Sequence, residues 1–191
     1  MITKKYSTLS ILLATALLLP SCYYIIDVVT FDSAAVLPGT SKIRPEIEID
    51  DNLSFGLFGG KMRSKKPYDI HASYLDKAFT YASAVFTKVT VTYADGTVDP
   101  GIAALKLPLR VAYKPHEYHN SMGDGVIAVH KSRMIFAEFP GTINRDEPFT
   151  LQIEGKFTKD NGKVIPFTIK EKYKSKREKG SATWVEFVEA V

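Results

Sequence analysis

The chain has 191 residues, of which 45% are hydrophobic, and its 25 Lys and Arg against 21 Asp and Glu give a formal net charge of +4. A charge this small argues against nucleic-acid binding, which calls for a far stronger basic field. The single cysteine excludes a disulfide within the chain. A chain of this length can bury a core as one domain without a disulfide or a metal.

The first 22 residues are the most informative segment of the chain. Two lysines at positions 4 and 5 precede an apolar run at residues 9–19, and Pro20, Ser21 and Cys22 follow. A basic start, an apolar run of about 11 residues and a small residue before a cleavage point indicate a secretory signal peptide. A membrane-spanning helix would need roughly 20 apolar residues.

The sequence Leu-Pro-Ser-Cys at residues 19–22 resembles the lipobox of bacterial lipoprotein signal peptides. The resemblance implies that the Cys22 thiol carries a diacylglyceryl group, that the leader is cut before Cys22, and that the new N-terminus is acylated too. Several acyl chains anchor a protein stably, since each buried methylene contributes about 0.8 kcal/mol. Two alternatives stay open: an uncleaved anchor over residues 9–26, and a secreted protein with a free thiol.

We therefore expect a signal peptide at residues 1–21, a lipidated N-terminus with a tether or first strand at 22–42, and one domain at 43–191. Losing the leader removes two lysines and lowers the formal net charge from +4 to +2. Tyr23 follows the cysteine, where in the enteric sorting rule an aspartate favours the inner membrane. The expected location is the cell envelope, at the outer membrane if the host has two membranes.

The segment after the cysteine has two interpretations. Residues 23–31 are apolar and β-prone, so they form either a first strand or a tether that leaves residues 32–42 as the linker. Residues 45–49 and 53–58 are then predicted to be short strands separated by a turn at 50–52.

Residues 73–86 could form one short helix. Apolar residues recur at near-helical spacing, and Ser73 and Asp76 resemble a capping box. The recurring residues are Leu75, Phe79, Ala82 and Phe86.

Alternation with a period of two dominates the middle of the chain. Odd-numbered residues from Val85 to Tyr93 are predicted to share one strand face, and the run closes at a turn over residues 94–97 that contains Asp-Gly. Residues 105–113 repeat the alternation, and Pro108 places that strand at a sheet edge or at a bulge. Residues 126–131 and 133–139 are two further short candidates.

The C-terminal third carries the clearest hairpin. Odd-numbered apolar residues from Phe149 to Phe157 form one strand face, residues 160–162 form the turn, and the alternation resumes from Ile165 to Tyr173. A last strand is predicted at about residues 183–189.

These elements predict an all-β fold. Many short strands separated by Gly, Pro, Asn and Asp favour a single β-sandwich, immunoglobulin-like or a related Greek key, with one short helix at most.

The histidines and nearby tyrosines are the candidate ligand-binding residues. His116 and His119 flank Glu117 and Tyr118, but a spacing of three does not match the zinc-protease motif, and the surrounding residues favour a solvated surface turn. We expect no metal site. Stacking on a sugar ring is a possible role for Tyr113, His116, Tyr118 and His119, against the alternative that the aromatic residues pack in the core.

No cofactor site is expected. Residues 123–128 match the residue types of a dinucleotide-site pattern but not its structural context. They lead into a predicted strand, whereas binding of the pyrophosphate requires a helix N-terminus. The same glycines fit a turn, where they supply positive backbone angles.

The acidic cluster and the basic stretches each have a structural interpretation as well as a functional one. Glu46 and Glu48 alternate with isoleucines and fit the wet face of a strand, although acidic residues 46–51 could also serve a glycosidase or calcium site. Basic residues in a Gly-rich loop at 59–66 and in the stretch 170–179 could contact lipid head groups or anionic wall polymers. The plainer interpretation is that they keep a sheet edge soluble.

The sequence thus predicts a non-catalytic envelope lipoprotein whose β-sandwich binds a partner or has a structural role. Its expected partner is the membrane, through the lipid on Cys22, with an envelope protein or a glycan as a further partner and no nucleic acid. The alternatives are a carbohydrate-binding module that uses residues 113–119 and an envelope hydrolase built on the acidic or histidine cluster.

Overall fold

The computed structural model describes residues 23–50, 52–54, 61–121 and 127–183, without the side chains at 23–24, 118–121, 127–130 and 182–183. The predicted signal peptide, Cys22, the two glycines of the turn predicted within residues 123–128, and the strand predicted beyond residue 183 lie outside the described residues.

Eleven β-strands and one 3-10 helix account for most of the described chain. The strands are β1 (Tyr23–Val36), β2 (Glu46–Asp50), β3 (Leu53–Ser54), β4 (Lys61–Ser64), β5 (Tyr68–Asp76), β6 (Tyr81–Tyr93), β7 (Leu109–Ala112), β8 (Lys114–Ser121), β9 (Ile127–Ile143), β10 (Phe149–Lys159) and β11 (Val164–Thr183). The 3-10 helix covers Pro100–Ala104.

The described residues divide into two compact units. The larger unit comprises Phe31–Asp50 and Lys66–Ser175. The described part of the smaller unit comprises residues 23–30, 52–54, 61–65 and 176–183.

The larger unit contains two β-sheets. In sheet A the strand order is β1-β11-β10-β6-β7, and the pairs β10 with β11, β10 with β6 and β6 with β7 are antiparallel. Sheet B is antiparallel with the order β2-β5-β9-β8. Side chains on successive strand residues point to opposite faces, so each sheet offers one apolar face.

The two apolar faces pack against each other in the core of the larger unit. Phe86 of β6 contacts Phe139 of β9 with 5.3 Å between ring centroids, and Phe157 of β10 contacts Tyr74 of β5 at 4.9 Å. Ile70 and Ile153 are fully buried in this core, together with many other hydrophobic residues of the two inner faces. Each buried side chain of this size contributes about 1.5–3 kcal/mol. The all-β sandwich predicted from the sequence is confirmed.

The C-terminal hairpin is confirmed residue by residue. Phe149 pairs with Tyr173 and Phe157 pairs with Ile165, as the alternation predicts. Gly162 closes the turn with a φ of +80°, which glycine adopts without a steric penalty. At Gly155 the close approach of the Phe167 ring leaves no room for a Cβ atom.

The helix predicted at residues 73–86 is wrong. The segment is divided between β5 and β6, and the Asp76 carboxylate accepts hydrogen bonds from the backbone N–H groups of Ala78, Thr80 and Tyr81 in the turn between them. Asp76 therefore ends a strand and does not cap a helix. Strand β5 pairs with β2 on one side and β9 on the other, which satisfies its backbone without helical bonds.

The surface turn predicted around the histidines is also wrong. Residues 114–121 form strand β8, which pairs with β9 from Lys114–Met134 to Ser121–Ile127. The two short strands predicted at 126–131 and 133–139 belong to one 17-residue strand, β9. Strand β9 pairs with β8 over residues 127–134 and with β5 over residues 133–143.

Two strand boundaries in the middle of the chain differ from the prediction. Glu154 pairs with Lys88 but Gly155 pairs with Phe86, so Thr87 is the extra residue of a β-bulge, and Ala84 and Phe86 replace Val85 and Thr87 on the inward face. Leu105 and Leu107 precede the short strand β7, because the 3-10 helix occupies residues 100–104. Strand β7 is the last in its sheet, which confirms the edge position that Pro108 predicted.

In the smaller unit the strand order is β3-β4-β1-β11, and β4 pairs with β1 in parallel. Residues 23–31 are thus a strand and not a tether, and residues 61–64 are a strand although a Gly-rich loop was predicted there.

The Asp27 carboxylate accepts two hydrogen bonds from the Arg177 guanidinium at 2.7 and 2.9 Å. The hydrogen bond from Arg177 lowers the pKa of Asp27.

Candidate functional site

Tyr113 is half-buried in the larger unit. Its ring stacks on Tyr81 with 6.1 Å between centroids and meets Tyr74 edge-on at 6.5 Å. The Tyr113 hydroxyl is buried and finds no hydrogen-bond partner among the described residues. Burial raises the pKa of this phenol, and the nearby Tyr74, Asp76 and Tyr81 raise it further. Tyr113 is therefore part of an aromatic core cluster and presents no hydroxyl to a ligand.

The other three predicted binding residues lie on strand β8. His116 is half-buried, and its backbone carbonyl accepts a hydrogen bond of 3.1 Å from Ser132 Oγ. Tyr118 and His119 lie opposite His130 and Val129 in the strand register, and their side chains lie outside the described residues. Tyr113, by comparison, packs its ring against Tyr74 and Tyr81.

In the acidic cluster, Glu46 and Glu48 lie on the wet face of a strand, as the structural interpretation predicted. Glu46 and Glu48 are exposed, and they alternate along β2 with the more buried Ile47 and Ile49. Among the residues that the structure describes, no group of three or more His, Cys, Asp or Glu side chains could hold a metal ion.

The candidate site is an open groove on sheet A, with a cavity volume of about 610 Å³. We call it the lysine groove, defined by Lys172 and Lys174 of β11, Thr150 of β10, Thr92 of β6, and the small residues Ala34, Ala94 and Pro148. Four adjacent strands thus contribute to it. Sequence reasoning had selected only the lysines, as members of a basic stretch.

Strand register explains why these polar side chains meet. Thr150 pairs with Thr92 on one side and with Lys172 on the other, so the three residues form a row across three strands. The neighbouring residues 93, 149 and 173 are buried, so this row faces away from the core. Ala34, Ala94 and Pro148 carry short side chains, which leaves open space beside the row.

Three aromatic residues pack behind the groove, on the core-facing side of sheet A. Phe149 stacks on Tyr173 with 5.2 Å between centroids, and Tyr93 meets Phe149 at 6.5 Å. All three residues are at most 4% exposed. Closely packed rings of this kind support the part of the sheet that carries the groove.

Tyr93 and Tyr173 both donate to buried carboxylates. The Tyr173 hydroxyl donates to Glu171 Oε2 at 3.1 Å, and the Tyr93 hydroxyl donates to Asp99 Oδ2. Burial, together with the adjacent carboxylate, raises the pKa of each phenol. The two phenols thus remain neutral hydrogen-bond donors and are fixed in orientation.

The acidic residues around the groove are paired with arginines. Arg44 Nη1 lies 2.5 Å from Glu171 Oε1, and Arg145 Nη1 lies 3.0 Å from Asp95 Oδ2 and 3.8 Å from Glu147 Oε2. The Arg145 guanidinium also lies over the Tyr93 ring, 4.6 Å from its centroid. These contacts neutralise the carboxylates nearest to the groove.

The two lysines are not neutralised in this way. Within the described ranges, Lys172 and Lys174 form no ion pair within 4.0 Å, and the hydroxyls of Thr92 and Thr150 form no side-chain hydrogen bond. Both lysines are exposed. The groove therefore has two uncompensated positive charges and two hydroxyls available for a ligand.

A second, smaller cavity of about 290 Å³ lies elsewhere in the larger unit. It is bordered by Leu105, Leu107 and Leu109 on one side and by Phe139 and Pro140 of β9 on the other. Lys106 and Glu138 supply one charge of each sign at its border, so this cavity has no net charge preference.

The chain matches no protein-family model, and comparison with curated proteins and with solved structures finds no match either. Over the part of the chain that the structure covers, no helix has the length and apolar character needed to cross a membrane.

Proposed function

We propose that this protein is a lipid-anchored, non-catalytic binding protein of the bacterial cell envelope. Acylation of Cys22 would attach it to the membrane, and the β-sandwich would carry the binding surface. The observation that carries the anchor is the sequence at residues 19–22, which resembles a lipobox and follows a basic, then apolar, leader.

The binding role is supported by the lysine groove. Its volume of about 610 Å³ falls within the range of about 300–1,000 Å³ that is typical of small-molecule sites. The sheet that carries it is supported from behind by packed rings, two of them tyrosines that donate to buried carboxylates, so the site is formed before a ligand arrives. A preformed site loses less conformational entropy on binding.

Location at the outer membrane is part of the same proposal for a host with two membranes. It is supported by Tyr23, which follows Cys22 at the position where an aspartate would favour inner-membrane retention.

Metabolic labelling tests the anchor. Cells that express the chain with radiolabelled palmitate should incorporate label into it, and Cys22→Ser should abolish both the label and the association with membranes. Ser21→Ala is the matched control, because it keeps a small residue before the cysteine and should retain the label. An unlabelled wild-type chain, or unchanged fractionation of Cys22→Ser, would overturn the proposal.

A further inference from the structure

The lysine groove has the chemistry of an anion-binding site for an extended ligand. Lys172 and Lys174 lie two residues apart on β11, so their side chains point to the same side and start roughly 6.6 Å apart. Thr92 and Thr150 place two neutral hydroxyls in the same row as Lys172. A ligand with negative groups and hydroxyls would meet both kinds of partner at once.

The local charge balance favours an anion. No carboxylate lines the groove, and the nearby Glu171, Asp95 and Glu147 are paired with Arg44 or Arg145. Asp32, two residues before Ala34 on β1, is exposed and lies outside the lining set. The groove itself thus carries two positive charges and no negative one.

The shape of the groove favours a chain of sugar rings over a bare ion. Its volume is much larger than one phosphate or sulfate needs, and Ala34, Ala94 and Pro148 add apolar surface beside the hydroxyls. Sugar rings offer C–H faces to apolar surface and hydroxyls to threonine side chains. At the envelope location proposed above, the anionic polymers within reach are polysaccharides and lipids that bear phosphate or sulfate.

From these observations we infer that the lysine groove binds a short anionic oligosaccharide, with phosphate or sulfate groups at Lys172 and Lys174 and sugar hydroxyls at Thr92 and Thr150. This inference rests on the proposed function for its ligand class. It does not rest on the acylation of Cys22, because every groove residue belongs to the larger folded unit.

The test measures binding of a sulfated tetrasaccharide to the full chain, purified in a neutral detergent. A neutral tetrasaccharide of equal length should bind at least about tenfold more weakly, and raised salt should weaken binding of the sulfated one. Lys172→Ala and Lys174→Ala should each weaken binding about two- to fivefold, and the double variant about tenfold. Thr150→Val, which keeps the side-chain shape, should weaken it about two- to fivefold.

Lys106→Ala is the matched control, since Lys106 is an exposed lysine at the border of the other cavity. It should leave binding unchanged. Equal loss in Lys106→Ala and Lys172→Ala would mean nonspecific charge attraction and would overturn the inference. So would equal affinity for the neutral and sulfated tetrasaccharides.

Two further arms identify the source of the anion. Inorganic phosphate should compete only weakly, because it occupies one part of the groove, and vesicles with anionic phospholipid should not bind through Lys172 and Lys174. Lysine-dependent vesicle binding without tetrasaccharide binding would overturn the inference in favour of a lipid surface. Cys22→Ser should bind the tetrasaccharide as the wild-type chain does, so failure of the anchor and failure of the groove give different results.

Discussion

The phenol of Tyr93 donates a hydrogen bond to the carboxylate of Asp99, which is only 1% exposed. Asp99 also accepts from the Gly101 N–H at 2.8 Å and from the backbone and side-chain amides of Asn144, both at 2.7 Å. One carboxylate thus joins the end of β6, the start of the 3-10 helix and the connection from β9 to β10. The same tyrosine packs behind the lysine groove, on the core-facing side of the sheet, so Asp99 supports the candidate site from behind.

Asp99→Asn should lower the free energy of unfolding by about 2–4 kcal/mol, because an amide cannot accept all four hydrogen bonds. Tyr93→Phe removes a single hydroxyl and should cost less, about 1–2 kcal/mol. Urea unfolding followed by circular dichroism measures both. A loss below about 0.5 kcal/mol in Asp99→Asn would show that the network adds little to stability.

Acid should lower the stability of the fold, because Asp99 becomes protonated. Burial alone would raise the pKa of Asp99, but the hydrogen bonds from Tyr93, Asn144 and Gly101 outweigh it and lower the pKa. A lowered pKa stabilises the fold above the unfolded value of about 3.9, and this contribution is lost as the pH falls through the folded value. Urea midpoints below pH 4 should drop less steeply in Asp99→Asn than in the wild type.

Asp95 provides the comparison for acid stability, since hydrogen bonds from Thr97 and Arg145 lower its pKa to about 2. Asp95 is exposed, so salt should screen the charge contribution of Arg145, whereas the buried Asp99 network should be much less sensitive. An equal salt response in Asp95→Asn and Asp99→Asn would contradict this distinction.

Alkaline pH should also destabilise the fold. The pKa values of Tyr93, Tyr113 and Tyr173 are raised, in each case by burial first. A raised pKa favours the neutral form in the folded state, so its stabilising effect is full below about pH 10 and declines as the pH rises further. Ultraviolet titration should show part of the ten tyrosines ionising only when the protein unfolds. A single reversible step near pH 10 for all of them would contradict the burial.

Two tyrosine-to-phenylalanine variants should differ in their effect on stability. Tyr113→Phe removes a buried hydroxyl that has no partner among the described residues, so stability should stay within about 0.5 kcal/mol or rise by up to about 1 kcal/mol. Tyr173→Phe removes the donor to Glu171 and should cost about 1–2 kcal/mol. Thermal unfolding compares the two. A marked loss in Tyr113→Phe would mean that its hydroxyl does have a stabilising partner.

Gly155→Ala should destabilise the core by about 1–3 kcal/mol. A Cβ atom at this position would lie 2.5 Å from Phe167 Cζ and 2.5 Å from the Val85 carbonyl oxygen. Chemical unfolding measures the loss. Gly180→Ala is the control, because nothing lies within 4 Å of its Cβ position. Adding Phe167→Leu should recover only part of the loss, since the clash with the Val85 carbonyl remains.

The strand pattern could be predicted where it depends on neighbouring residues. Alternation from Phe149 to Phe157 and from Ile165 to Tyr173 identified the C-terminal hairpin, because a half-buried strand needs apolar residues at every second position. The same reasoning failed at residues 73–86, where apolar residues fit both a helix and two strands. The contacts of β5 with β2 and β9 decide between them, and both partners lie far away in the sequence.

The sequence by itself determined the all-β class and marked residues 19–22 as the predicted lipid-attachment motif, since both depend on short stretches of the chain. Only the tertiary structure decided that Tyr113 stacks on Tyr81 and that Thr92, Thr150 and Lys172 lie in one row. The physical reason is strand register. Which distant residues become neighbours across a sheet is fixed by the pairing of whole strands, and no local pattern contains that information.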